Sequence, residues 1–246
     1  MAVWGLLGSL AAISAARAEK ISVAVAANFT APAQEIAALF RQQTGHEAVL
    51  SFGSSGTFYT QIVQGAPFQL LLSADEDRPA RLIADGLASA TTRSTYAIGT
   101  LVLWSRSPDL VQGEATLRGG MFRKLSIANP TAAPYGAAAI EVMSALHVHA
   151  ALASRIVQGN SLAQAFHFID TGNAELGFVA LSQLTGITAG SRWVVPQTLY
   201  APIRQDAVLL QKGQGSPASA AFLGFLKGPE AKAIIERYGY KLPAPN

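Results

Sequence analysis

Short apolar runs alternate with stretches in which apolar residues recur every three or four positions. Residues 21–26 (ISVAVA) predict a nearly buried first strand. Asn28 and Thr30 break it, and Pro32 stands where a helix can open. That helix carries Ile36, Leu39 and Phe40 on one face and stops at Gly45. Residues 48–52 predict a second strand, which the turn Gly53-Ser54-Ser55-Gly56 joins to a helix over 57–64. Residues 68–73 form a third buried run, closed by Ala74-Asp75. A helix over 76–85 follows, with Leu82 and Ile83 inward. Strand and helix thus alternate three times, which predicts a parallel sheet with helices on its faces.

The second half repeats the pattern less regularly. Residues 96–104 predict one strand, and 105–120 are looser and richer in Gly, Ser and Pro. Residues 125–128 predict a short strand ending at Asn129-Pro130. The turn Thr131 to Gly136 precedes a helix over 137–146. Residues 152–156 predict another short element, Ser161 caps a helix over 162–169, and residues 176–180 predict a strand. Strands are expected at 193–195 and 207–210. Ser216-Pro217 opens a helix reaching Leu226, and a last helix spans 230–238. The two βαβ-rich halves meet near Thr100 without a flexible linker. A strand-like crossing predicts two lobes on a strand hinge; on which lobe the last helices pack stays open.

Composition narrows the function. Half of the 246 residues are apolar, 13% are charged, and the formal net charge is +3. The charges are scattered, with no basic block, which argues against nucleic acid. Cysteine is absent, which removes thiol catalysis, disulfides, zinc–thiolate sites and iron–sulfur clusters. Residues 2–16 are apolar and small, and Ala16-Arg17-Ala18 follows, although no basic residue precedes the run. Residues 1–18 therefore predict a signal peptide and an exported chain beginning near Glu19. No later run has the length of a membrane span.

Four junctions share one form: a strand end, small or polar residues, then a helix or turn. They are Ala27-Asn28-Phe29, Ser54-Ser55-Gly56, Ser73-Ala74-Asp75 and Pro134-Tyr135-Gly136. Ligands in open α/β sheets sit beyond such strand ends, where helix N-termini offer unpaired N–H groups. None of the four carries Lys, Arg or His. An anion held there would meet neutral donors only, which suits a fully ionised oxyanion and disfavours one that keeps a proton. Each residue also has a plainer reading: Asn28 as a helix cap, Ser55 as a turn hydroxyl, Tyr135 as an interior aromatic. Asp75 is expected to cap the following helix, and Arg78 and Arg81 to lie on its solvated face. P-loop, G-x-G-x-x-G and G-x-S-x-G patterns are missing, and His46, His147, His149 and His167 lack metal-ligand spacing.

The segments VAVAANFT, SFGSSGTFYTQI, GAPFQLLLSAD, IANPTAAPYG and TGNAELGFVALSQL, with PIRQDAVLL and GPEAKAIIERYGY, are together a far more specific signal. Over residues 20–243 the chain resembles the periplasmic molybdate-binding proteins, the substrate-binding components of bacterial molybdate ABC importers. The resemblance implies an α/β, type II periplasmic-binding fold: two lobes, each a mostly parallel sheet flanked by helices, joined by two hinge strands. Residues 19–100 with 203–246 would form the first lobe and 101–202 the second. It implies no enzyme activity and no cofactor, a molybdate or tungstate ligand, a monomer, a periplasmic location and a membrane permease as partner. Family ligand positions fall on Asn28, Ser55, Ala74, Tyr135 and Leu162. The metal would be carried inside the oxyanion, without direct protein ligands. One branch of the family has Ser at Asn28, Ala at Tyr135 and a tyrosine at Ala180. The chain resembles a second branch that uses Asn and Tyr, in which Tyr135 would replace the missing hydroxyl from the opposite side of the cleft. The competing readings are a sulfate, thiosulfate or phosphate binder of the same architecture and, in another class, a serine hydrolase.

Overall fold

The computed structural model describes residues 18–244, so the expected signal peptide lies outside the described residues except for Ala18. The strands are β1 (Lys20–Ala26), β2 (Glu47–Gly53), β3 (Leu70–Leu72), β4 (Ser94–Gly99), β5 (Leu101–Ser105), β6 (Leu125–Ala128), β7 (Ile156–Gly159), β8 (Leu176–Ala180), β9 (Ser191–Val194) and β10 (Ile203–Leu209). The helices are α1 (Thr30–Thr44), α2 (Ser55–Val63), α3 (Asp77–Ala84), α4 (Glu114–Gly119), α5 (Pro134–Ala145), α6 (His149–Leu152), α7 (Leu162–Asp170), α8 (Pro217–Leu226) and α9 (Pro229–Arg237).

The strands form two five-stranded sheets, ordered β2-β1-β3-β10-β4 and β7-β6-β8-β5-β9. In each, three strands make a parallel core: β1 is parallel to β2 and β3, and β6 to β7 and β8. The remaining pairings are antiparallel, so both sheets are mixed. The apolar run read as one strand divides at Thr100. Its first part, β4, pairs with β10 in the first sheet; its second part, β5, lies between β8 and β9 in the second. The return crossing runs just before Ile203, which pairs with Gly99.

Each sheet has its own core. Phe29, Ile36, Phe40, Leu72, Phe222 and Ile235 are buried together, which places α8 and α9 with α1 on the first sheet. Leu103, Ile127, Val142, Met143 and Phe178 centre the second. Caps follow the sequence: Gly45 closes α1 at φ 76° and returns its N–H to Arg41 O, while Ser161 and Ser216 accept from the first turns of α7 and α8. Two elements were not foreseen. β7 is half-buried and carries no continuous apolar run, and α4 is six residues long, too short for a periodic face.

Candidate functional site

Three site candidates follow the carboxyl ends of neighbouring parallel strands in the first sheet. Asn28 lies in a 3₁₀ turn after β1, Ser55 opens α2 after β2, and Ala74 follows β3. The other two come from the second sheet: Tyr135 is the second residue of α5, after β6, and Leu162 the first of α7, after β7. All five line one cavity of about 10 Å³, together with Ala27, Gly53 and Ala133. That is close to the smallest space that holds one water. Among the described residues, no charged one lines it.

The two halves are drawn together around this space. Gly56 N–H donates to Ala132 O at 2.9 Å, and Ser182 Oγ donates to Asn28 O at 2.8 Å. A side chain on Gly56 would place its Cβ 2.9 Å from Ala132 Cα, so glycine is what lets these backbones approach.

Local chemistry separates the two adjacent serines. Ser54 is the helix cap: its Oγ accepts from Thr57 N–H at 3.3 Å and lies 2.6 Å from Thr57 Oγ1. Ser55, one residue inside the helix, accepts from Ala74 N–H at 2.9 Å and keeps its own hydroxyl proton for another partner. The helix thus starts two residues earlier than its apolar pattern suggested. Leu162 N–H stands in the first turn of α7, where no intrahelical acceptor exists.

A buried polar cluster backs the cavity. Asn28 Nδ2 donates to Gln205 Oε1 at 2.8 Å and to Tyr240 Oη at 3.0 Å. Tyr96 Oη lies 3.1 Å from Gln205 Oε1, and Gln205 Nε2 donates to Tyr135 Oη at 3.3 Å. Burial pushes the Tyr135, Tyr96 and Tyr240 hydroxyls above their ordinary value, and neighbouring tyrosines add to the rise at Tyr135 and Tyr96. These phenols therefore stay protonated. Gln205, Tyr96, Tyr240 and Ser182 escaped the sequence reading. The only sign was a lone glutamine within a strand-forming segment.

Two expectations are corrected. Arg78 is not on a solvated face: its side chain is 18% exposed, pairs with Asp75 and donates to Thr131 O at 2.7 Å. α3 faces the second half of the molecule at this point, so its outer surface is an inner one. Asp75 does cap, accepting Arg78 N–H at 3.0 Å. Nor does Tyr135 oppose Ala180 across the cleft: α5 and β8 pack together in the second sheet's layer, so both positions belong to the same side. Among the described residues no group of three or more His, Asp or Glu could hold a metal ion.

Residues 21–241 match the family model described as bacterial extracellular solute-binding protein. The molybdate-binding protein ModA of Azotobacter vinelandii is 51% identical over 240 residues, covering 96% of this chain and 95% of that one. The chain belongs to the bacterial extracellular solute-binding proteins, on the branch of the ModA proteins. ModA of Rhodobacter capsulatus is 52% identical over 92% of the chain and 89% of its own length. The solved periplasmic molybdate-binding protein of Azotobacter vinelandii superposes with a TM-score of 0.88 at 43% identity, covering 91% of this chain and 99% of that one. The sulfate-binding protein SubI of Mycobacterium tuberculosis gives a TM-score of 0.75 at 14% identity over 93% and 88% of the two chains, a likeness of fold alone.

Proposed function

We propose that this chain captures molybdate, and tungstate with it, in the periplasm and presents it to the membrane permease of an ABC importer. The observation that carries this reading is the convergence of Asn28, Ser55, Ala74, Tyr135 and Leu162, from two sheets, on one cavity without a charged side chain. The ModA relatives supply the ligand class. Residues 19–100 with 203–246 act as one lobe and 101–202 as the other, and they close on the ion as a monomer.

The donors suit a tetrahedral dianion. Ser55 and Tyr135 each hold one hydroxyl proton for it. Ala74 N–H turns from Ser55 Oγ to the ion, and Leu162 N–H completes the second lobe's share. Tyr240 has Asn28 O and Ser182 Oγ as further partners, so the Asn28 N–H it receives is the one a bound ion takes over. Unmet oxygens in so dry a site would cost several kcal/mol each, which makes the aim of every donor matter. Sulfate is smaller, and the same donors reach all of its oxygens only through a strained closure.

Calorimetry of the chain from Glu19 onward, titrated with molybdate, tungstate, sulfate and phosphate, tests the proposal. Tight binding of the first two and at least about a hundredfold weaker binding of the others is expected, a gap of roughly 2.7 kcal/mol. A preference for sulfate, or a ligand-bound crystal with the ion held by lysine or arginine, would refute it.

A further inference from the structure

Behind the cavity, Gln205 occupies the point where both halves meet. It is fully buried, does not line the cavity, and sits on β10 next to the crossing between sheets. A bulge between β4 and β10 falls at this residue: Gln205 pairs with Ala97 and Asp206 with Thr95, leaving Tyr96 as the extra residue. Bulges re-aim side chains, and here Tyr96 is turned so that its hydroxyl reaches Gln205 Oε1. Gly99, on the opposite strand, clears the remaining space. A Cβ there would lie 2.0 Å from Tyr135 Oη and 2.9 Å from Gln205 Nε2.

We propose that Gln205 is the positioning residue that sets the hydrogen-bond direction of the binding site, making Tyr135 a donor to the ligand. This inference rests on the functional reading above. An amide has one accepting and one donating end. Gln205 Oε1 receives Asn28 Nδ2 and faces the Tyr96 hydroxyl, so its Nε2 points at Tyr135. The oxygen of Tyr135 thereby accepts from Gln205, and its one proton is directed away from the amide, to the side where the cavity and the Tyr240 hydroxyl lie. The reverse arrangement, with Gln205 accepting from Tyr135, would turn that proton away and present a lone pair to the anion. One glutamine thus links a donor of the first lobe, Asn28, to a donor of the second, Tyr135. It fixes the site as donor-only without touching the ion.

The test is a double-mutant cycle read by calorimetry with molybdate. Gln205→Glu can only accept while ionised, so it draws the Tyr135 proton to itself. Affinity should fall by about a hundredfold or more, the loss of a charge-assisted hydrogen bond together with added repulsion. The repulsion is present in both backgrounds of the cycle and cancels. In a Tyr135→Phe background the same substitution should therefore cost about tenfold less. Strict additivity of the two substitutions would overturn the proposal, as would unchanged affinity in Gln205→Glu. Should Gln205→Glu fail to fold, the cycle with the neutral Gln205→Met applies, with a smaller coupling of the same sign expected and additivity again decisive. Wild-type protein that does not bind molybdate would overturn the functional reading, and this inference with it. Wild-type binding with no coupling overturns this inference alone.

Discussion

The 10 Å³ cavity and the 410 Å³ groove beside it share Ala74 and Pro134 and differ in almost everything else. The groove is lined by Asp75, Glu76, Asp77 and Glu141 against Arg78 and Arg204, four carboxylates to two guanidinium groups. Its charges are largely spent on one another: Arg78 pairs with Asp75, and Arg204 with Glu76 at 3.0 Å. The cavity has no charge, but it has hydroxyl protons and helix-start N–H groups that the fold leaves available. A dianion entering the groove meets surplus negative charge; in the cavity it meets aimed dipoles and nothing to repel it. Neither volume nor formal charge marks the better anion site. What marks it is a set of donors whose own partners are already accounted for.

The sharpest way to break that contrast is to keep every donor and prevent them from converging. Gly56→Ala does so. Its Cβ would sit 2.9 Å from Ala132 Cα and 3.1 Å from Ala132 O, backbone atoms that cannot swing aside as a side chain would. Overpacking of this kind costs about 1–3 kcal/mol, here charged to the closed form alone. Molybdate affinity should fall by about a hundredfold while the unfolding temperature of the ligand-free protein stays near wild type. Equal losses in affinity and stability would mean that Gly56 serves the fold rather than closure. Tyr135→Phe removes one donor and leaves the rest in place. A hydrogen bond to a charged partner is worth roughly 1.5–3 kcal/mol, so calorimetry should show a loss of about ten- to a hundredfold. Unchanged affinity would remove Tyr135 from the donor set.

How much of this was readable from the chain depends on the range of the interactions. Buried parallel strands are apolar on both faces, so β1, β6 and β8 appear as short, mostly apolar runs with at most a serine between, and Ser161 and Ser216-Pro217 announce helix starts locally. The run at 96–104 looked like one strand because both of its halves are buried; only pairing with different sheets divides it at Thr100. Among the site candidates, Ser55 and Tyr135 stood out through the family resemblance and through their place at helix starts. Gln205 did not, since its partner Asn28 is 177 residues away and nothing near it in sequence needs an amide. Arg78 was misplaced for a related reason. Helical period gives the outward side of α3 correctly, but not that Thr131 of the other half lies against it.

Within the cavity, Ser55→Ala should cost less than Tyr135→Phe. It deletes a hydroxyl donor, but it also frees Ala74 N–H, which now donates to Ser55 Oγ at 2.9 Å and could then turn fully to the ion. A net loss of about tenfold is expected, the lower end for a charge-assisted bond. A larger loss than in Tyr135→Phe would mean that Ala74 N–H does not reach the ligand.

The smallest effect belongs to the groove, and it is the one that could invert the contrast. Arg78 carries a full charge close to the cavity, but Asp75 already neutralises it, and its other contact is a neutral carbonyl, Thr131 O. Arg78→Ala alone would leave the largely buried Asp75 carboxylate without its partner, so the pair is removed whole, Arg78→Ala with Asp75→Asn, which keeps the net charge beside the cavity unchanged and retains a capping side-chain oxygen. What is lost is one hydrogen bond between the two halves, worth about 0.5–1.5 kcal/mol in the closed form. Affinity should therefore drop only about two- to tenfold. The salt dependence of molybdate binding should match wild type, since a bonded pair contributes little long-range attraction. If the paired variant instead weakened binding more than Tyr135→Phe, and did so mainly at low ionic strength, charge would be drawing in the anion after all, and the neutral cavity would be where the ion rests rather than what selects it.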